Sequence, residues 1–240
     1  MRIFNLLGAA IALAIVVGLF THQLNHGSRV SMLSSSAVPS SSAANGPARE
    51  VLSSENTAGS YRLDASQSKF IAHAIAGGLF WFKGHDHLVA VRDFSGEARL
   101  DPDSVTGSSL EITAKAGSMV ETSSVFTEPQ KQIIDKELRD IVLEPDKYPE
   151  IVFRSTSVTG GVASNNQYNL RVAGDLTLHG VTRPITIPVK VSVSGNDLRA
   201  QGEFSIDRSD FKVDATSAFH GLVRVKDKVK FEFDIVGHRL

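Results

Sequence analysis

The chain has 240 residues, 42% of them hydrophobic, and its 25 lysines and arginines nearly balance 26 aspartates and glutamates for a net charge of −1. The absence of cysteine excludes a disulfide framework or a cysteine-held zinc, and the near-neutral charge excludes an acidic disordered tail and the basic surface that nucleic-acid binding needs. What remains is an ordinary globular domain with extra segments, because the composition changes along the chain.

From Ile3 to Phe20 the residues IFNLLGAAIALAIVVGLF fill eighteen positions, with Asn5 the one strongly polar member and Arg2 just ahead. The run is at the short end for crossing a hydrocarbon core of about 30 Å, yet longer than the apolar stretch of about 7–15 residues in a cleavable leader. No A-x-A pattern follows, since Thr21, His22 and Gln23 come next. Residues 1–20 are therefore expected to be an N-terminal membrane anchor, with a cleaved signal peptide as the alternative. With Arg2 on the inside, the rest of the chain faces away from the cytoplasm on either reading.

Residues 21–60 hold eleven serines together with Pro39, Gly46 and Pro47, and no Phe, Tyr or Trp. A segment with so few large apolar side chains cannot offset the entropy of ordering itself, so it is expected to be a flexible linker. The folded unit is expected over residues 61–240, about 180 residues and within the range of a single core.

Inside that unit the apolar period is two. Leu110 and Ile112 alternate with Glu111 and Thr113, Ile151 and Phe153 precede Arg154, and Tyr168, Leu170 and Val172 alternate with Asn169 and Arg171. Val189, Val191 and Val193 share a face opposite Lys190, Ser192 and Ser194. Phe204 and Ile206 against Glu203 and Asp207, then Val229, Phe231, Phe233 and Ile235 against Lys230, Glu232 and Asp234, repeat the signature. Strands with one wet and one dry face predict antiparallel pairing. Asp101-Pro102-Asp103, Gly160-Gly161, His179-Gly180 and Gly195-Asn196-Asp197 are the expected turns.

One segment breaks the pattern. Over Thr127–Leu143, Ile134, Leu138, Ile141 and Val142 recur at helical spacing, Thr127 can cap with Gln130 three residues on, and Pro129 sits in the first turn. One short helix is expected there, closed before Tyr148-Pro149. About eight amphipathic strands and one helix predict an all-β antiparallel barrel, closed so that no long sheet edge is exposed. Such a barrel is filled by side chains or holds one ligand, and an apolar interior selects an apolar guest. The thirteen phenylalanines either line that cavity or fill a solid core, and the period alone leaves both open.

Three separated blocks add something more specific: YPEIVFRST from Tyr148, GDLTLHGVTRP from Gly174 and FSIDRSDF from Phe204, preceded by Tyr61-Arg62-Leu63-Asp64, Ser68 and Phe94-Ser95-Gly96. In this order they resemble the YceI-like family of exported lipid-binding proteins, over Tyr61 to about Val236. The resemblance implies a lipocalin-like barrel whose apolar tunnel holds a polyisoprenoid or similar long-chain lipid, with no cofactor and no general catalytic role. On the dry parity of each strand, the candidate ligand-lining residues are Phe70, Phe82, Phe94, Ile112, Phe153, Leu170, Leu176, Phe204, Phe231 and Phe233.

Within these blocks, His179-Gly180 is expected to form a tight hairpin turn, with His179 kept for turn geometry rather than ligand contact, and Pro184 suits only a strand start or an edge. Asp207, Arg208 and Asp210 are expected to pair locally at a strand end, an ion pair worth about 0–1 kcal/mol when exposed. Gly84-His85-Asp86-His87 departs from the family pattern. On a strand, His85 and His87 would project from one face at a spacing able to chelate a metal, but His73, His179 and His220 offer no fixed spacing for further ligands. A polar rim meeting a lipid head group is the competing reading. No G-x-S-x-G elbow, H-E-x-x-H pair or phosphate-cradling glycine loop is present, so a membrane-tethered lipid carrier or sequestering protein, not an enzyme, is expected. A metal-dependent or redox-linked activity at His85 and His87, and a solid barrel that serves as an interaction module, are the alternatives.

Overall fold

The computed structural model describes residues 58–79, 82, 84–218 and 223–240. The expected anchor, most of the linker and His220 lie outside the described residues. No helix among those described is long and apolar enough to cross a membrane.

In chain order the elements are β1 (Gly59–Gly77), β2 (His87–Val91), β3 (Phe94–Leu100), β4 (Ser109–Lys115), β5 (Met119–Glu121), α1 (Glu128–Glu137), a π-helical turn (Leu138–Leu143), β6 (Glu150–Ser164), β7 (Gln167–Leu178), β8 (Val181–Ser194), β9 (Asp197–Asp207), β10 (Ser217–Ala218) and β11 (Val223–Arg239). All pairings are antiparallel, and β1 meets β11 to close the sheet. Strands β2 and β3 are one bent strand interrupted at Arg92-Asp93, and β4 and β5 are another interrupted at Ala116–Ser118. So counted, eight strands complete the barrel, with β10 as an appendage of β11. The two bends lie side by side: the Lys115 amide donates to the Asp93 carbonyl (2.9 Å), and the Asp93 amide donates to Ser118 Oγ (3.0 Å).

Alternation sorts each strand as its sequence requires. Tyr168, Leu170 and Val172 on β7 and Val189 and Val191 on β8 are buried, while Asn169, Arg171 and Lys190 are exposed. The barrel wall parts at two places. Between β5 and β6 the gap is covered by α1 and the π turn, whose Asp135 carboxylate accepts the Glu121 amide (2.7 Å). Between β8 and β9 only Val189–Ser194 finds partners on β9. The preceding half of β8 carries Pro184 and Pro188, so the prolines sit inside a long strand but on its edge half, where a missing N–H breaks no ladder with β9.

Three local expectations need correction. Gly160-Gly161 lies within β6, not in a turn, and the reversal falls at Asn165-Asn166, with Asn166 at φ 56°. Gly160 is required in the strand because a Cβ there would stand 2.1 Å from the Asn169 carbonyl oxygen. Thr127 and Gln130 do form the expected cap, the Thr127 amide donating to Gln130 Oε1 (2.8 Å). The last six residues of the helix wind as a π turn, however, which advances fewer degrees per residue and leaves Ile141 exposed while Leu138 and Val142 pack inward. Asp207 pairs with Lys228 (3.1 Å) across the β9–β11 ladder instead of with Arg208 or Asp210.

The barrel seam at its terminal end is clipped by His238 of β11. Its Nδ1 lies 2.8 Å from Asp197 Oδ1 and its Nε2 lies 3.3 Å from Asp64 Oδ2, bridging β9, β11 and β1. The Asp197 hydrogen bond first, then that of Asp64, raises the His238 pKa. Asp64 is held well below the usual carboxylate range, by hydrogen bonds from the Ser66 hydroxyl and Gln67 ahead of the contribution from His238. A raised histidine stabilises the fold below its unfolded value of about 6.5 and ceases to as pH climbs through its folded value. A lowered aspartate stabilises it above about 3.9 and ceases to as pH falls through its folded value. The clip is thus fully engaged between about pH 4 and 6.5. Thermal melts should show this contribution declining from pH 6 to pH 9, and His238→Gln should flatten that decline; an unchanged slope would contradict the assignment.

Glycine also makes room where rings cross strands. A Cβ on Gly202 would lie 2.4 Å from the Pro188 carbonyl oxygen and 2.6 Å from Phe233 Cζ, whereas one on Gly161 would meet nothing within 4 Å. Gly202→Ala should cost about 1–3 kcal/mol through overpacking, and Gly161→Ala should be near neutral, as read from urea midpoints.

Candidate functional site

The residues on the inward parity leave two cavities along the barrel. The first, about 140 Å³, lies toward the chain-terminal end and is lined by residues such as Leu63, Ala98, Ala114, Val172, Ala200 and Phe233. The second, about 190 Å³, lies toward the helix end, where Ala72 and Ala74 of β1 face Val229 and Phe231 of β11, and Ile134, Leu138 and Val142 close the side. Both exist because small side chains stand where the barrel radius calls for large ones. Each is close to the roughly 150 Å³ of an apolar cavity that stays dry and accepts a benzene-sized guest.

Phe70, Ile151, Leu176 and Phe204 line both cavities and form the waist between them. The rings interlock there. Phe204 stacks on Phe231 at 4.9 Å, and Phe70 meets Phe94, Phe231 and Phe233 edge-on at 6.1–6.3 Å. A hydrocarbon chain occupying both cavities must pass this four-residue waist.

Of the lining residues expected from sequence, Phe70, Leu176 and Phe204 border both cavities, Ile112, Phe153, Leu170 and Phe233 the first, and Phe231 the second. Phe94 is buried behind Phe70 and contributes packing to the waist, outside both linings. Phe82 is 63% exposed in the β1–β2 connection. Strand β1 ends at Gly77, and Gly78 turns at φ 90°, so strand parity does not reach Phe82. Sequence reasoning missed Ile151, which shares the dry parity of Phe153, and the inner helix face, whose spacing was visible but was not assigned to the lining.

The helix end carries the polar groups. Strand β2 begins at His87, so His85 lies before it and the same-face rule for alternate strand residues does not join the two. Instead, both imidazoles flank Phe126, His87 stacked at 5.1 Å and His85 edge-on at 5.8 Å, while Asp86 accepts the Ala76 amide (2.8 Å). His87 Nδ1 lies 2.8 Å from Glu121 Oε2. The Glu121 side chain is fully buried, and its Oε1 accepts the Leu88 (3.1 Å) and Ser123 (2.7 Å) amides. Burial pushes the Glu121 pKa up, but the hydrogen bonds from His87, Ser123 and Leu88 outweigh it and hold the carboxyl below its ordinary range. No group of three or more histidines, aspartates or glutamates among the described residues is placed to hold a metal ion.

Two other blocks singled out in the sequence serve the frame. His179 (φ 51°) and Gly180 (φ 73°) form the β7–β8 turn, with the His179 ring against Tyr148 and its Nε2 3.1 Å from Glu144 Oε2. Arg208, just beyond β9, lines the second cavity and donates from Nη1 to the Val213 carbonyl (2.8 Å).

The arrangement can hold hydrocarbon and offers a few polar atoms at one end. Comparison with known proteins agrees on the fold. Burkholderia cenocepacia BcnA superposes with a TM-score of 0.57 at 24% identity, covering 72% of this chain and 98% of that one. A polyisoprenoid binding domain from Saccharophagus degradans superposes with a TM-score of 0.51 at 14% identity, covering 75% and 98%. In sequence, protein YceI of Escherichia coli O17:K52:H18 is 29% identical over 168 residues, spanning 65% of this chain and 78% of its own. Residues 61–237 match the family model for the YceI-like domain, from near the start of β1 almost to the end of β11, and the chain belongs to that family.

Proposed function

We propose that this protein binds a long-chain isoprenoid-type lipid in its barrel and acts as a non-enzymatic carrier or sequestering protein. The observation that carries the reading is a pair of apolar cavities that share Phe70, Ile151, Leu176 and Phe204 in their linings. Ten methylenes buried there at about 0.8 kcal/mol each would supply about 8 kcal/mol before association costs, without any directional contact. Family membership and the polyisoprenoid binding of the Saccharophagus degradans neighbour support the same ligand class. The apolar run at Ile3–Phe20 and the serine-rich residues 21–60 further support an exported barrel, tethered to the inner membrane and facing the periplasm. Phe70 and Phe204 set the passage between the cavities, and rotation of their rings admits the chain.

The full-length protein purified from bacterial membranes and periplasm should release a prenyl-type lipid into organic solvent, identified by mass spectrometry near one per chain; an extract indistinguishable from the buffer blank would sink the reading. Phe204→Ala removes a ring that borders both cavities. It should lower stability by about 3 kcal/mol and shift the extracted lipids toward longer or bulkier chains, while Phe204→Trp should shift them toward shorter ones.

A further inference from the structure

The second cavity is apolar along its sides but not at its end. His87 borders it, with Nδ1 engaged by Glu121 and one ring face covered by Phe126. The side chain nevertheless remains 25% exposed, and Nε2 has no hydrogen-bond partner among the described residues. An ionised carboxylate only accepts hydrogen bonds. Glu121, already accepting two backbone amides, therefore requires the His87 proton on Nδ1, which makes Nε2 of the neutral imidazole a lone-pair acceptor. The tautomer is fixed by a buried partner in the way that an outer carboxylate orients a ligating histidine.

The charges around the cavity end bear on what that acceptor meets. Arg208 is the one lysine or arginine among the described residues lining the second cavity; its Nη1 donates to the Val213 carbonyl, while its buried Nε, 3.9 Å from Asp227 Oδ1, has no hydrogen-bond partner among the described residues. Glu137 and Asp214 line the same cavity, and Glu121 lies behind His87. Among the described residues, an anionic head group would thus face more carboxylates than cations. A hydroxyl would bring a donor for Nε2, and its oxygen can also accept.

We infer that the His87–Glu121 pair is a head-group acceptor that selects amphiphiles ending in an uncharged hydroxyl, such as an isoprenoid alcohol or a phenol, with the chain running from the second cavity through the waist toward the first. This rests on the lipid-binding reading above, and the test separates the two. Full-length protein is titrated with geranylgeraniol, its methyl ether, geranylgeranyl phosphate and the hydrocarbon phytane. The alcohol should bind about fivefold tighter than the ether, as one net hydrogen bond allows, and tighter than the phosphate. His87→Asn keeps a side-chain amide donor for Glu121 but lacks Nε2; it should abolish the preference for the alcohol over the ether. Glu121→Gln turns a donor toward Nδ1 and should move the imidazole proton to Nε2, visible in ¹⁵N chemical shifts, with the same loss of preference. Equal binding of alcohol and ether, a preference that survives in His87→Asn, or tighter binding of the phosphate would each overturn the head-group assignment while leaving lipid binding intact. Failure of all four ligands to bind would remove the lipid reading itself and the head-group assignment with it.

Discussion

The pairing of β1 with β11, from Tyr61 opposite Arg239 to Gly77 opposite Arg224, turns a curved sheet into a barrel wall. Once the wall is closed, strand alternation fixes two environments, and any side chain on the inward parity is committed to a space that water cannot readily share. The interior is apolar for that reason, and a polar group there must bring its own partners. Glu121 shows the rule at its strictest: it is buried between strand and helix and tolerated because His87 and two amides saturate it.

Within a closed wall the void is set by which inward residues are small. Alanines at 98, 114 and 200 hollow the first cavity, and alanines at 72 and 74 hollow the second. Between them β1, β9 and β11 place Phe70, Phe204, Phe231 and Phe233 on neighbouring positions, and glycine at 202 clears the path of the Phe233 ring. The same alternation that builds a core therefore also builds a channel with a constriction, and the difference lies in a few side-chain volumes rather than in the backbone.

Much of this was legible from residue order. The Val189, Val191 and Val193 alternation, the Thr127–Gln130 cap and the His179-Gly180 turn are local signals, and local signals survive translation into structure. What escaped depended on distant neighbours. Gly160 looks the same in a turn as in a strand until the Asn169 carbonyl beside it is known, and Phe82 shares the composition of a lining residue but follows a turn. Glu121 carries no signal in the sequence, because only the fold brings His87 and Asp135 to it. The lined cavity itself could not be separated from a packed centre, since period reports which way a side chain points and not how much space it leaves.

The ends of the barrel domain have a topological consequence of their own. The Leu240 amide donates to the Ser60 carbonyl (2.9 Å), so the first and last strands are immediate neighbours in a ring whose successive members are joined mainly by hairpins. A ring of that kind has no intrinsic starting point. A short splice from Leu240 to Gly59, with the chain reopened at the exposed Gly195-Asn196 hairpin, would string the same pairings in a rotated order, which places the identity of the fold in the circle of contacts rather than in the direction of synthesis.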